Sequence, residues 1–179
     1  MKIGLSRSMP TLVAAAITWF WMSAGIIAAD RATKAAIEAY TPENFHRALV
    51  PGLINLVHSH NPGIAFGLLA NLGSKWLTVL LVASSVAVIG LLGWLLATDR
   101  GGGRRNQAGL ALILGGAAGN LIDRLLFGSV TDFFEVGLGS YSWPAFNVAD
   151  SAITIGAAFV VLELLLGRRQ PTDPDTEKV

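Results

Sequence analysis

Apolar residues fill four stretches of this chain, and the charged positions fall between them. Residues 11–29 run without a charge from Arg7 to Asp30, and residues 76–98 without one from Lys75 to Asp99. A shorter charge-free run, 106–122, lies between Arg105 and Asp123, and a fourth, 136–162, is split only by Asp150. A bilayer core of about 30 Å takes about 20 apolar residues as helix. Hydrocarbon offers backbone N–H and C=O groups no partner outside the helix itself. The pattern therefore predicts transmembrane helices at 11–29, 76–97, 107–123 and 150–166.

The intervening segments read differently. The segment 30–75 begins by continuing the helical pattern, with Asp30 and Lys34 four apart on one face in the favourable acid-before-base order. Thr41, Pro42 and Glu43 then read as a turn. Residues 49–60 hold short β-like runs, Asn61-Pro62-Gly63 is a turn signal, and 64–69 are apolar. A small sheet lying on the membrane surface is expected here. The segment 124–149 is rich in glycine, serine and aromatics. It is expected as a loop carrying Asp132 that folds back on a helix start carrying Asn147 and Asp150, with Asn147 a candidate N-cap. Tyr141 and Trp143 suit the water–lipid interface. The tail 167–179 is polar, holds two prolines and is expected to be disordered. The expected fold is thus an all-α polytopic membrane protein of four spans, one domain over 1–166, with a small extracytoplasmic β-rich cradle between spans 1 and 2.

Composition and charge refine this picture. The chain is 53% hydrophobic and only 14% charged, where soluble domains hold about 25% charged residues. A net charge of +1 offers no basic face for nucleic acid. The absence of cysteine excludes disulfides, a cysteine nucleophile and thiolate metal sites. Lys2, Arg7, Arg100, Arg104, Arg105, Arg168, Arg169 and Lys178 fall on one side of the four spans, and Arg31, Lys34, Arg47, Lys75 and Arg124 on the other, across far longer loops. The positive-inside bias then places both termini in the cytoplasm. A cleaved signal peptide is the alternative for the first span, but its apolar run exceeds the usual 7–15 or so residues, so it is expected to be retained.

Asp30, Asp123 and Asp150 abut the outer ends of spans, and carboxylates at membrane depth are costly enough to be functional candidates. Several chemistries are open on these residues alone. A serine–histidine–aspartate arrangement needs a histidine beside a nucleophilic serine, and His46, His58 and His60 have no serine in such a context. A serine–Lys34 dyad is a weak option. His58 and His60 would share a face of a strand and could hold a metal with Asp132 as third ligand. A small proton-coupled transporter would use the same carboxylates as a relay. Paired carboxylates, Asp132 with Asp150, are the natural reading: two that share a site cannot both ionise cheaply, so one keeps a proton while the other accepts one.

Five motifs occur in order: Asp30-x-x-x-Lys34, Asn61-x-Gly63-x-x-Phe66-Gly67, Gly115-Gly116-Ala117-Ala118-Gly119-Asn120-x-x-Asp123-Arg124, Val130-x-Asp132-Phe133 and Phe146-Asn147-Val148-Ala149-Asp150-Ser151. Over residues 10–166 the chain resembles the lipoprotein signal peptidases (signal peptidase II), aspartic peptidases of the bacterial cytoplasmic membrane. The resemblance implies removal of the signal peptide from prolipoproteins by a cut before a diacylglyceryl-modified cysteine. It implies Asp132 and Asp150 as the catalytic pair at the periplasmic face. Asn61, Gly116, Asn120, Arg124 and Asn147 would line the site and hold substrate, and Asp30, Lys34 and Asp123 would support it. It further implies no cofactor or metal, membrane lipids as partners, and the cyclic peptide globomycin as inhibitor. Ile64, where the family often has a small residue, and the stretch 40–47 depart from the pattern.

Overall fold

A computed structural model describes residues 9–63, 74–98, 100–139 and 141–166. The elements run α1 (Met9–Tyr40), β1 (His46–Val50), β2 (Ile54–Asn61), α2 (Ser74–Ala97), α3 (Arg104–Phe127), β3 (Val130–Leu138), β4 (Tyr141–Phe146) and α4 (Val148–Leu166). The tail 167–179 and the apolar run 64–69, with Ile64, Phe66 and Gly67, lie outside the described residues.

The four helices cover the four predicted apolar runs. Among the described residues Trp76–Ala97, Arg104–Phe127 and Val148–Leu166 are long and apolar enough to cross a membrane. Their outer faces carry large exposed apolar side chains such as Trp76, Leu80, Leu91, Ile155 and Leu165, a surface suited to hydrocarbon rather than to water. Helix α1 has 32 residues, about 48 Å at 1.5 Å per residue, so it outruns a bilayer core. Its last turns, Asp30 to Tyr40, therefore continue as a post at one end of the bundle.

Helix α3 is the centre. It packs against the other three helices, and half of its apolar window is buried, against 11% for α2 and 17% for α4. Glycine permits this closeness. A Cβ on Gly109 would lie 2.7 Å from the Gly156 carbonyl, and one on Gly115 would lie 2.8 Å from that of Ser23. Ser23 Oγ adds a hydrogen bond to the Ala111 carbonyl at 2.8 Å, tying α1 to α3. Leu92, Leu96, Leu110, Ala111 and Leu114 form the apolar core between α2 and α3. At the other end of α3, Gly128 adopts φ 76° and its N–H closes on the Arg124 carbonyl, a left-handed cap that stops the helix and turns the chain into β3.

The sheet differs from expectation. The first polar segment was expected to form the cradle between spans 1 and 2 by itself, and the second to be a loop. Instead one antiparallel sheet of order β1-β2-β3-β4 takes two strands from each segment. Asp132 accordingly stands in strand β3, not in a loop. The cause is pairing at long range: β2 offers a free edge, and β3 satisfies it with Ser59 opposite Asp132 and Asn61 opposite Val130. Pro144, which cannot donate to a ladder, lies in β4 at the sheet's outer edge, where it costs least.

Candidate active site

The site assembles where the C-terminal ends of α1 and α3, the start of α4 and the β2–β3 pair meet. Asp30, Lys34 and Asp123 are fully buried there. The ammonium of Lys34 stands 2.7 Å from Asp30 Oδ2 and 2.7 Å from Asp123 Oδ2, and it donates to Asn120 Oδ1 at 3.0 Å. It thus makes two ion pairs and one hydrogen bond. Arg31 pairs with the other oxygen of Asp123, and the backbone N–H of Ala149 donates to Asp30 Oδ1 at 2.9 Å. Two cations and two carboxylates thus balance, with Arg31 a quarter exposed, and Asp30 pins the first turn of α4 to α1. Sequence reasoning missed Arg31. The only signal was that two buried acids call for two cations, and Arg31 lies next to Asp30.

Asn147 precedes α4 and caps it. Its Oδ1 accepts from the Asp150 N–H at 2.9 Å, and Asp150 Oδ2 accepts from the Asn147 N–H at 3.3 Å, a reciprocal capping box. The expected N-cap role is borne out, and it leaves the amide nitrogen free for a second task. Asn147 Nδ2 donates to Asp132 Oδ1 at 2.7 Å. Asn61 behaves likewise: its Oδ1 accepts from the Gly63 N–H at 2.8 Å, and its Nδ2 donates to Asp132 Oδ2 at 3.1 Å. Asn120 completes the set, with Oδ1 held by Lys34 and Nδ2 donating to Asp150 Oδ1 at 2.8 Å. Each asparagine has its carbonyl oxygen occupied by a donor that is not a carboxylate, so each must turn its NH2 toward an aspartate.

Asp132 and Asp150 line one cavity of about 620 Å³, with Asn61, Arg124, Trp143 and Phe146 among its walls. Asp132 is 3% exposed. Burial pushes its carboxyl up from 3.8 to about 6, and the charge of Asp150 adds to the rise; the Asn61 and Asn147 amides and the Lys34 cation pull the other way. A carboxyl with a pKa near 6 beside a second carboxyl can hold a proton while its neighbour takes one from water.

Arg124 faces the same cavity. Its guanidinium donates to the Asn120 carbonyl at 3.3 Å, and its buried Nε has no partner among the described residues. Asp123 is engaged by Lys34 and Arg31, so Arg124 is left for the cavity. Gly116 sits apart from the cavity walls: a Cβ there would lie 2.4 Å from the Ala149 carbonyl and 2.8 Å from Ile153. It admits helix α4. Gly119 does the same for the Asp30 carboxylate, 2.7 Å from its added Cβ. His58 is buried with its Nδ1 3.1 Å from both the hydroxyl and the carbonyl of Thr41, and His60 Nδ1 stands 3.3 Å from Glu43. Among the described residues no three His, Asp or Glu side chains are grouped to hold a metal ion.

Two solved structures share this fold. Both are described as bacterial membrane enzymes whose structures were obtained by the in meso method. One, at 26% identity and a TM-score of 0.73, covers 90% of this chain and 93% of its own. The other, at 28% identity and the same TM-score, covers 83% and 92%. The fold is that of bacterial membrane enzymes, with Asp132 and Asp150 lining a cavity at one end of its helices. Sequence comparison then gives the family. The family model for signal peptidase (SPase) II matches residues 22–166. The chain is 40% identical to the lipoprotein signal peptidase of Solibacter usitatus (strain Ellin6076), over 84% of this chain and 92% of that one. It is 41% identical to that of Xylella fastidiosa (strain M12), over 89% and 95%, and 44% identical to that of Desulforapulum autotrophicum, over 80% and 88%. The chain belongs to the signal peptidase II family and is a peptidase.

Proposed function

We propose that Asp132 and Asp150 are the catalytic pair with which this enzyme removes signal peptides from prolipoproteins, cutting before the diacylglyceryl-modified cysteine. The observation that carries the reading is the asparagine relay: Asn147 and Asn61 hold Asp132, Asn120 and Asn147 hold Asp150, and both carboxylates open on one cavity. In this reading the shared proton rests on Asp132, whose pKa is about 6. Ionised Asp150 takes a proton from a water molecule as its oxygen attacks the scissile carbonyl. Asp132 gives its proton to the carbonyl oxygen, which becomes a hydroxyl of a tetrahedral diol. Collapse of the diol breaks the C–N bond, the amine leaves with the proton held by Asp150, and the diol proton returns to Asp132. Arg124, which lines the same cavity, binds a substrate backbone carbonyl.

The setting follows from the same reading. Four spans, with α1 as the first, both termini in the cytoplasm and the site at the periplasmic face of the bacterial inner membrane, fit the lysine and arginine bias and the gathering of Asp30, Asp123, Asp132 and Asp150 at one end. A substrate anchored by acyl chains and an apolar signal helix then meets the site without leaving the bilayer. Globomycin is expected to compete for the cavity.

The test is cleavage of a purified diacylated prolipoprotein by the purified protein in detergent, with and without globomycin. Asp132→Asn and Asp150→Asn should each fold and give no product. Normal cleavage by either variant would refute the pair.

A further inference from the structure

The last turns of α1 run past the site, and one face of them meets each of the four elements around it. Asp30, Lys34 and Glu38 are four apart and so share a helix face, and Thr41 follows the last turn. Asp30 takes the Ala149 N–H of α4 at 2.9 Å. Lys34 donates to Asn120 of α3 at 3.0 Å. Glu38 Oε1 accepts from the Thr131 hydroxyl of β3 at 2.8 Å. Both oxygens of Thr41, hydroxyl and carbonyl, stand 3.1 Å from Nδ1 of His58 on β2. Four grips along one helix thus meet α4, α3, β3 and β2 in turn.

The third grip is the one that bears on the chemistry. Thr131 precedes Asp132 in β3, and successive side chains of a strand point to opposite faces. With Thr131 turned to α1, Asp132 is turned to Asn61, Asn147 and the cavity. Thr131 is 1% exposed, and a buried hydroxyl left without a partner is costly, so the strand stays docked on Glu38. The Thr131 carbonyl meanwhile lies 3.4 Å from Asn147 Nδ2, the amide that donates to Asp132 at 2.7 Å. Glu38 itself is exposed and does not line the cavity, so it reaches the reaction only through Thr131.

We infer that Glu38 is a positioning residue for the cleavage reaction: its bond to Thr131 fixes β3 against α1 and so sets Asp132 where it can share a proton with Asp150. This rests on the peptidase reading above. Asp30 ties α1 to the helix that carries Asp150, and Glu38 ties the same α1 to the strand that carries Asp132. Along the chain the two carboxylates are joined only through β4, whose pairing with β3 shifts register between Phe134 and Val136. Helix α1 is the straight member on which both of them rest.

The experiment measures kcat, KM and the pH dependence of kcat/KM for cleavage of a diacylated prolipoprotein by the purified protein in detergent. Glu38→Ala should lower kcat by about tenfold or more, with KM little changed. Asp132 then loses part of its hold on the Asn147 amide, which pulls its carboxyl down, so the falling limb of kcat/KM should move to higher pH. Glu38→Gln removes the same charge but keeps an oxygen acceptor, and should restore the parent's kcat and limb. Thr131→Val takes away the donor without leaving a buried hydroxyl. It should lose kcat as Glu38→Ala does while holding its melting temperature, and the double variant should lose no more than either single one. Parent kcat in a folded Glu38→Ala or Thr131→Val enzyme overturns the inference, as does a Glu38→Gln enzyme as slow as Glu38→Ala. A slower Glu38→Ala enzyme with an unmoved limb has only a loosened fold, and overturns it too. All of these outcomes leave Asp132 and Asp150 as the pair. A parent enzyme that gives no product, or cleavage by Asp132→Asn, refutes the peptidase reading instead.

Discussion

Lys34 of α1 donates to the carbonyl oxygen of Asn120 on α3 at 3.0 Å, and that bond decides which end of the Asn120 amide faces Asp150. The ammonium also forms ion pairs with Asp30 and Asp123, each at 2.7 Å. A side chain 0% exposed thus joins the ion network that clamps α1, α3 and α4 to the amide relay around the two aspartates.

Replacing that cation should be costly. Lys34→Met leaves Asp30 and Asp123 facing each other in a dry interior with only Arg31 to offset them, a loss on the order of 3–5 kcal/mol. Thermal unfolding in detergent should show a large drop in melting temperature, and Lys34→Met with Asp30→Asn should recover part of it. An unaltered melting temperature in the single variant would remove the network from the account of stability.

The pKa of Asp132 gives a stability test with a definite sign. Its folded value, about 6, lies above its ordinary value of 3.8. Such a group favours folding fully below pH 4, and that contribution is lost as pH rises through 6. The difference corresponds to about 3 kcal/mol as an upper limit. Asp132→Asn does not titrate, so its stability relative to the parent should improve between pH 4 and pH 7. A relative stability independent of pH would show that the carboxyl is not raised.

Activity should follow the same group. The form with one proton on the pair is depleted as pH rises through about 6 in the free enzyme, so kcat/KM should fall above that pH. Bound substrate excludes water and pushes the carboxyl further up, so the matching limb of kcat should lie at higher pH. Because the proton belongs to the pair, Asp132→Asn should abolish the limb together with the activity. A kcat/KM that is flat from pH 5 to pH 8 would contradict the shared proton.

Asn147 separates capping from its role at the carboxylates. Asn147→Ser keeps an N-cap acceptor, so the start of α4 should hold, but it removes the amide that donates to Asp132. Activity should fall by orders of magnitude. Asn147→Ala should lose activity and also about 1 kcal/mol of cap. Equal stability of the Ser and Ala variants would show that the cap contributes nothing.

The glycines make opposite predictions according to what lies beside them. Gly116→Ala puts a methyl 2.4 Å from the Ala149 carbonyl, and it should push α4 and Asp150 off α3 and reduce both stability and cleavage. Gly90→Ala on α2 meets nothing within 4 Å, and should be neutral or stabilise by up to about 1 kcal/mol. A Gly116→Ala enzyme with normal activity would mean that the α3–α4 contact is loose.

Most of the helices could be read directly, because a charge-free run long enough to span hydrocarbon has few other fates. The strands of the second polar segment could not. Thr131 to Phe146 shows no steady alternation, and it becomes sheet by pairing with β2, whose Asn61 lies 71 residues from Asp132. Expecting a loop there followed from reading the segment without its partner. The glycines at 115, 116 and 119 were equally open to substrate or to helix, and only the positions of Ser23, Ala149 and Asp30 choose helix.

What the order of residues determined by itself is the membrane class, the covering of the apolar runs by helices and the identity of the polar residues at their ends. Those depend on local quantities: hydrophobic length, charge position and capping preference. What only the tertiary structure decided is the use of those residues. The direction of three asparagine amides, the engagement of Asp123 by Lys34 and Arg31 rather than Arg124, and the shared cavity of Asp132 and Asp150 all depend on contacts between segments remote in the chain. A hydrogen bond or a pKa shift is set by distance in space and by excluded water, and neither is written in the spacing of residues along the chain.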